Sequence, residues 1–392
     1  MQGTIRFMNN PTDILNYLTA CRQEMIDFVA ALARVESPTS RPETQTPVQD
    51  LLREPLEQLG FDVEIIPGEQ SGGMLWARPS ILSSAQPQQL LLGHSDTVWP
   101  VGTLAEMPVA VEGNVMRGPG VLDMKSGLTQ MIFALQALYE LGWETAVAPI
   151  ILINSDEEVG SYDSRPHIER LAQAVERVYV LEPALGSAGK IKTARKGVGE
   201  FIITVRGKAA HAGLEPENGI SATLELAHLT LKLHQLNRPE EGVTVNVGVV
   251  EGGARSNVVA AECRALVDVR APTIEAAEAL ETAVNNLQPT LPGASLTIEG
   301  GFNRLPMERT PRNQALWHLA QALGQEIGLK LDEGTAGGGS DGNLTSPFTA
   351  TLDGLGPVGG GAHATHEHIL LDSFVERTAL LALLLQAPSI KP

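Results

Sequence analysis

Four groups of acidic or histidine side chains end or follow short apolar runs, and together they could hold a pair of metal ions. They are residues 94–96 (His-Ser-Asp), Asp123, residues 156–158 (Asp-Glu-Glu) and Glu182. A short apolar run between turn signals is typical of a strand buried on both faces, and open α/β sheets bind ligands at the carboxyl ends of such strands. Carboxylates that share one cleft need a cation or a shared proton. The sequence therefore predicts a metal site.

The first two groups have a spacing that suits metal chemistry. His94 and Asp96 are two residues apart, so an extended backbone places both side chains on the same side. A carboxylate commonly holds the second ring nitrogen of a ligating histidine. Asp123 follows a Gly-Pro-Gly turn, and its two oxygens could bridge two cations. The alternatives are a structural His–Asp hydrogen bond and a helix N-cap.

The other two groups add four carboxylates, those of Asp156, Glu157, Glu158 and Glu182. Of the neighbours Glu157 and Glu158, one can bind metal while the other faces a water as general base, and a solvated acidic turn is the alternative. Glu182 precedes a proline, which favours an extended backbone. It also directly follows apolar strand residues, where an unpaired charge is costly.

Two glycine-rich segments lie in the C-terminal part of the chain. Residues 359–361 precede His363, His366 and His368, and composition alone does not choose among these three as a metal ligand. A histidine-rich surface loop is the alternative. The second segment, residues 334–342, resembles a phosphate-cradling loop. It lacks the Lys-Ser/Thr ending of a P-loop, so we do not expect nucleotide binding.

Charge and composition exclude several classes of partner. The 392 residues include 28 Lys and Arg against 46 Asp and Glu, a net charge of −18 that repels nucleic acid and anionic membranes. Cys21 and Cys263 suggest neither a disulfide scaffold nor a cysteine-based zinc site. Residues 1–10 lack the pattern of a secretory signal, and the apolar stretch 379–385 is too short to cross a bilayer. We therefore expect a cytoplasmic protein.

Strands and helices alternate in the first half of the chain. This alternation predicts an α/β fold whose mostly parallel sheet is covered by helices. The predicted helices cover residues 11–35, 48–59, 125–141 and 168–175, and the predicted strands cover residues 61–66, 89–93, 148–154 and 177–181.

The order of elements changes near residue 195. Strand-helix-strand-strand-helix-strand is the ferredoxin-like α+β pattern, and helical patterns at 315–327 and 376–385 then resume the first part. We therefore predict a catalytic domain, residues 1–194 and 306–392, interrupted by an inserted domain of residues 195–305. Its predicted strands are 200–205, 243–250, 261–269 and 295–299, and its helices 219–236 and 273–287.

Nearly the whole chain resembles a known family in the order and spacing of its motifs. The matching segments are residues 94–98, 118–127, 156–160, 181–183, 207–213, 256–259 and 268–270, with His363 four residues before Glu367. They resemble the di-zinc metallopeptidase and amidohydrolase family of glutamate carboxypeptidase, acetylornithine deacetylase, succinyl-diaminopimelate desuccinylase and aminoacylase. The chain is most similar to the folate-hydrolysing type of glutamate carboxypeptidase.

The resemblance implies two zinc ions per chain, for which cobalt or manganese could substitute. It implies that Asp123 bridges the metals, that Glu158 and His363 complete one site, and that His94 and Glu182 complete the other. The family spacing selects His363 over its two neighbours. The remaining two roles are those of Glu157 as general base and Asp96 as the partner of His94.

The resemblance also implies roles in the inserted domain and around it. His211 is similar to an oxyanion-stabilising histidine that comes from the partner subunit in dimeric members, and a hydrogen-bonded loop histidine is the alternative. The domain is thus expected to act as a lid and dimerisation domain in a homodimer. The residues similar to substrate-binding positions are Asn257, Arg270, Lys190, Arg304 and Gly338.

The reaction implied is hydrolysis of the amide bond to a C-terminal amino acid, with glutamate as the expected residue. The substrate would be a small N-acyl amino acid or a short peptide. An N-acyl-amino-acid deacylase or a dipeptidase on the same site is the alternative enzyme. A catalytically silent binding or scaffold protein is the alternative of another class, and such a relative would be expected to lose Asp123 or Glu157, which are both present.

Overall fold

The computed structural model describes residues 10–389, and the chain divides into two compact units. The first unit contains the residues up to Thr193, Arg309–Thr335, and the residues from Ser340 onward. The second contains Ala194–Glu308 and Ala336–Gly339. That these units act as a catalytic domain and an inserted lid stays a prediction.

The α-helices of the described residues lie, in chain order, at α1 (Pro11–Ala20), α2 (Arg22–Arg34), α3 (Gln45–Gln58), α4 (Ser126–Glu140), α5 (Arg165–Ala174), α6 (Ala222–His234), α7 (Ile274–Asn285), α8 (Pro311–Glu326), α9 (Gly342–Thr345) and α10 (Leu371–Gln386). No helix in this part of the chain is both long and apolar enough to span a membrane.

The strands of the same residues lie, in chain order, at β1 (Phe61–Ile66), β2 (Met74–Pro79), β3 (Gln88–His94), β4 (Ala110–Glu112), β5 (Val115–Arg117), β6 (Ala148–Asn154), β7 (Arg177–Val180), β8 (Ile191–Arg195), β9 (Gly197–Arg206), β10 (Thr244–Gly252), β11 (Glu262–Ala271), β12 (Ser295–Arg304), β13 (Glu333–Ala336), β14 (Ala350–Leu352), β15 (Gly359–Gly360) and β16 (His368–Leu370).

A six-stranded sheet forms the centre of the first unit, with the strand order β1-β2-β6-β3-β7-β14. Strands β6, β3, β7 and β14 run parallel, whereas β1 and β2 pair antiparallel at one edge. The predicted α/β class with a mostly parallel sheet is confirmed. Strand β2 was not predicted, because its segment contains Trp76, Arg78 and Pro79 and reads neither as an alternating nor as a continuous apolar run.

Both faces of this sheet are covered, which explains why its central strands are apolar throughout. Leu91 of β3 is buried against the core that includes α1, α2, α4 and α10. Its neighbours Leu90 and Leu92 are buried in the opposite core with residues of α5 and α9. Burying each such leucine side chain contributes about 1.5–3 kcal/mol. The strand is therefore fixed firmly up to His94, its last residue.

The predicted helix at residues 11–35 is wrong in one respect, because the structure has two helices there. Helix α1 ends before Cys21 and α2 begins at Arg22. No proline or glycine marks the break, so the apolar periodicity alone did not reveal it. The N-cap of α1 is Asn10, whose side chain accepts a hydrogen bond from the Thr12 N–H at 3.2 Å.

The second unit contains one four-stranded antiparallel sheet, with the order β10-β11-β9-β12. The strands and helices of this unit come in the order β9-α6-β10-β11-α7-β12 along the chain, which is the predicted ferredoxin-like order. Apolar residues of α6 and α7, among them Leu229 and Leu280, are buried with Phe201, Ile203 and Val205 of β9. The unit thus has a hydrophobic core of its own.

A small antiparallel sheet of the first unit, with the order β15-β16-β5-β4, was not predicted. Its strands have only two or three residues, too few for a sequence pattern. Arg117 at the end of β5 pairs with His368 at the start of β16. The start of the loop that follows β5 and the end of the loop that joins β15 to β16 therefore lie next to each other.

Candidate metal centre

His94 lies at the carboxyl end of β3 and is fully buried. Its Nδ1 is 3.0 Å from the main-chain oxygen of Asp96 and 3.3 Å from Oδ1 of that residue. Because the main-chain oxygen can only accept, Nδ1 carries the proton. Its Nε2 is 3.2 Å from Oδ1 of Asp123 and 3.4 Å from Oε1 of Glu182. The ring is thus oriented as a metal ligand requires, with Nε2 turned toward carboxylates.

The carboxylate of Asp96 is buried and holds more than the histidine. Its Oδ2 accepts a hydrogen bond from the Thr39 hydroxyl at 2.6 Å and from the Glu158 N–H at 3.3 Å. Its Oδ1 accepts from the Glu157 N–H at 3.4 Å. Asp96 therefore fixes His94 and the turn that carries both glutamates. Thr39 was not predicted, since a single hydroxyl in a loop forms no sequence pattern.

Asp123 lies in an irregular turn between β5 and α4. Its backbone is not helical (φ −118°, ψ 96°), and α4 begins three residues later at Ser126. Its Oδ1 faces Nε2 of His94, and its Oδ2 is 3.5 Å from Nε2 of His363. The two oxygens therefore face two different histidines. This is the arrangement of a bridging carboxylate, and the side chain does not cap the helix.

His363 is the histidine of its loop that lies with the acidic residues. Its Nε2 is 3.1 Å from Oε2 of Glu158. The other carboxylate oxygen of Glu158, Oε1, is buried and has no hydrogen-bond partner. In contrast, His368 turns its Nδ1 to the main-chain oxygen of His366 at 3.0 Å. A buried oxygen without a partner is costly, and a cation would satisfy it.

Two overlapping sets of side chains could each hold a metal ion, with all ligand atoms of a set within 4.8 Å of one another. One set is His94, Asp123 and Glu158, and the other is His94, Glu157 and Glu182. With His363 beside the first set, the structure brings together all the residues for which the resemblance implied metal binding. Glu157 lies among them, in a short turn shortly after β6.

The protonation of the metal-free site reflects this crowding. Burial lowers the pKa of His94, but hydrogen bonds with Asp123, Asp96 and Glu182 outweigh it and hold that pKa well above its usual value. Burial raises the pKa of Glu158 to about 7. Hydrogen bonds with Asp123 and Glu158 raise the pKa of His363 to about 10. Protons thus supply the positive charge that a metal ion would otherwise bring.

Two of the predicted residues of the second unit, His211 and Asn257, lie beside the same loop. His211 is exposed, and its Nδ1 accepts hydrogen bonds from the N–H groups of Gly213 at 3.2 Å and Leu214 at 3.1 Å. The main-chain oxygen of Asn257 accepts from the Ala212 N–H at 3.0 Å, so this residue lies beside the His211 loop. These contacts fix the histidine ring and leave its Nε2 as the remaining nitrogen.

Four further predicted residues lie on strands and loops of the two units. Arg270 makes three hydrogen bonds of 2.7–3.1 Å to the Asp268 carboxylate. The main-chain oxygen of Gly338 accepts from Nη1 of Arg195 at 3.2 Å, and Arg195 was not predicted. Arg304 is buried at the end of β12. In the first unit, Nζ of Lys190 is 2.6 Å from Oδ2 of Asp332, an ion pair near the surface.

The sequence itself matches a known protein family over most of its length. Residues 90–387 match the peptidase family M20/M25/M40. The chain belongs to this family. The resemblance stated above is thereby confirmed, and so is the expectation of a hydrolase that acts on amide or peptide bonds. Enzymes of the M20 family bind two metal ions, which agrees with the candidate site.

Individual relatives cover most of the chain. Carboxypeptidase G2 from Pseudomonas sp. (strain RS-16) is 27% identical over 368 residues, which are 91% of this chain and 87% of that protein. A succinyl-diaminopimelate desuccinylase from Azoarcus sp. (strain BH72) is 28% identical over 346 residues, 82% of this chain and 87% of its own. Aminopeptidase PepT from Bacillus cereus ATCC 10987 has the same fold, with a TM-score of 0.77 at 22% identity over 93% of this chain and 98% of that one.

The protonation of the site predicts how zinc binding depends on pH. The raised pKa values of Glu158 and His363 mean that their protons stabilise the metal-free fold at low pH, and this stabilisation is lost as the pH rises toward about 7 and about 10. Zinc must displace these protons. We therefore expect added Zn²⁺ to raise the unfolding temperature more at pH 8 than at pH 5.5, measured by thermal unfolding of metal-free and zinc-loaded protein. An equal shift at both pH values would contradict this.

Proposed function

We propose that this chain is a di-zinc carboxypeptidase that hydrolyses the amide bond to a C-terminal amino acid, with glutamate as the preferred residue. The observation that carries the proposal is the position of Asp123, whose two carboxylate oxygens face His94 and His363 separately. The similarity to carboxypeptidase G2 over 91% of the chain supports the reaction class within the family.

The residues present fit two metal ions. We assign Asp123 as the shared ligand, Glu158 and His363 as the further ligands of one ion, and His94 and Glu182 as those of the other. The buried, unpartnered Oε1 of Glu158 supports this assignment, because it needs a positive partner. When bound, the pair of ions would acidify a water and polarise the scissile carbonyl. Zinc suits histidine and carboxylate ligands, and cobalt or manganese could replace it.

Glu157 is the general base of this proposal. It lies shortly after β6, which ends at Asn154, and its N–H donates to the Asp96 carboxylate, so its backbone is held at the edge of the site. It would accept the proton of the attacking water and later deliver it to the leaving amine. Asp96 keeps the proton of His94 on Nδ1 and so orients that ring.

Recognition of the substrate's free carboxylate is the task we assign to the second unit. An arginine can bind a carboxylate through two parallel hydrogen bonds, and Asp268 already fixes the orientation of the Arg270 guanidinium. Asn257, Arg304 and Gly338 are further candidates. Lys190 is the one candidate outside the second unit, and its ammonium group forms an ion pair with Asp332.

Replacing the base tests the chemistry. Glu157→Gln keeps the shape of the side chain but cannot accept a proton. We expect it to bind zinc as the wild type does and to lose hydrolysis by about 10²–10⁴-fold. The measurements are zinc content and kcat on an N-acyl amino acid. Glu169→Gln on the surface of α5 is the matched control and should keep full activity. Full activity of the Glu157 variant would end the base assignment.

A panel of N-acyl amino acids that vary only in the C-terminal residue tests the preference. We expect the highest kcat/KM for C-terminal glutamate and at least tenfold less for the amide-blocked compound, whose terminal carboxylate is missing. The similarity to succinyl-diaminopimelate desuccinylase favours a deacylase as the second candidate. Rates that depend on the acyl group and hardly on the C-terminal residue would select that candidate.

The proposed homodimer can be tested through His211, which we assign to stabilise the oxyanion in the partner subunit's site. His211→Ala should keep its zinc and lose turnover. Mixing it with Glu157→Gln should restore some activity, because one of the two sites in a mixed dimer then has an intact base and an intact histidine. Subunit exchange is checked by native mass spectrometry. Exchange without restored activity would show that each chain completes its own site.

A further inference from the structure

The carboxylate of Glu367 is buried and is saturated with hydrogen bonds from another loop. Its Oε1 accepts from the N–H groups of Leu122 at 2.8 Å and Asp123 at 3.1 Å. Its Oε2 accepts from the N–H of Gly120 at 3.0 Å and from Nε1 of Trp99 at 2.8 Å. A carboxylate has about four acceptor positions. All four are used, so Glu367 has none left for a metal ion.

The loop that receives these contacts does not satisfy all of its own N–H groups. Gly120 has a positive φ of 72°, and Asp123 and Met124 are not helical. Within the turn, the Val121 N–H donates to the Gly118 oxygen at 3.4 Å and the Lys125 N–H to the Gly120 oxygen at 3.0 Å. The N–H groups of Gly120, Leu122 and Asp123 donate instead to the Glu367 carboxylate, in keeping with the rule that buried N–H groups are nearly always paired.

Glu367 also belongs to the loop of His363. Its own N–H donates to the Ala364 oxygen at 2.9 Å, and its main-chain oxygen accepts from the Gly118 N–H at 3.4 Å. Side chain and backbone of Glu367 thus tie together the loop of Asp123 and the loop of His363. The distance between Asp123 Oδ2 and His363 Nε2 is 3.5 Å.

We propose that Glu367 is a positioning residue for the metal pair: it holds the loop of residues 120–123 so that the Asp123 carboxylate lies between His94 and His363. This inference rests on the proposed metal centre. A neutral amide cannot replace the carboxylate, because its NH₂ group would face two N–H donors. The charge and the shape of Glu367 are therefore both required.

Zinc titration of the full-length, metal-free protein against a chromogenic chelator tests this role. The wild type should bind two Zn²⁺ per chain. For Glu367→Gln we expect the zinc dissociation constant of the weaker-binding site to rise about 10- to 100-fold, the range known for residues that orient metal ligands. Kinetics at limiting zinc should show the same fold-change in the zinc concentration needed for half-maximal kcat.

The matched control is Glu225→Gln in the second unit. Glu225 is also a buried glutamate, and it accepts hydrogen bonds from the N–H groups of Thr290 at 2.9 Å and Leu291 at 2.6 Å. This variant should lose stability like the Glu367 variant but keep both zinc affinities within about twofold, since it lies outside the assigned ligand set. Unchanged zinc affinities in Glu367→Gln, at comparable loss of stability, would reduce Glu367 to a structural role and overturn the proposal.

A second variant covers a failure to fold. Glu367→Asp keeps the charge, but its side chain is one methylene shorter and cannot reach all four donors, so a loss of zinc affinity is again expected. Wild-type affinity in this variant would overturn the proposal. Fewer than two zinc ions on the wild type would instead refute the proposed metal centre, so the two failures are distinguishable.

Discussion

Mutual repulsion among carboxylates is the constraint on which this site depends. The oxygens of Asp123 and Glu158 lie within 4.8 Å of a shared histidine nitrogen, as do those of Glu157 and Glu182. Like-charged carboxylates repel one another, so the surrounding fold must position each of these side chains. Hydrogen bonds to the main chain and the rigid ends of buried strands do this. The repulsion among these carboxylates destabilises the fold, and a bound cation would relieve it.

Two parts of the first unit share the task of holding the ligands. Parallel strands β3, β6 and β7 end at one edge of the central sheet. His94 is the last residue of β3, and the residues that follow β6 and β7 supply both glutamates of the 157–158 turn and Glu182. The small antiparallel sheet supplies the rest, since its loops carry Asp123 and His363. Because β5 and β16 are hydrogen-bonded neighbours, the loops that carry these two candidate ligands adjoin each other in the fold.

The sequence predicted the sheet well, because buried parallel strands are continuous apolar runs. It also placed His94, Glu157, Glu158 and Glu182 at or after strand ends, where the structure has them, and their role as metal ligands stays a prediction. It predicted less where local backbone shape decides. An aspartate before a helix reads as an N-cap, and only the non-helical backbone of Asp123 turns its carboxylate toward the histidines. Thr39 donates a hydrogen bond to Asp96 and Trp99 donates one to Glu367, and neither contact could be predicted from the sequence pattern. Single long-range hydrogen bonds have no periodicity.

The pairing of β5 with β16 has a consequence for biosynthesis. Glu367 contacts Asp123 at a separation of 244 positions in the chain, and the sequence between them includes the whole second unit. During synthesis from the N-terminus, the strand-end ligands are therefore made long before the segment that completes their cluster. In a nascent chain, the acidic residues at the ends of β3, β6 and β7 are therefore present before His363 and β16 have been synthesised. Closure of that sheet is a non-local step, and such steps are slow because the chain entropy is lost before the contacts form.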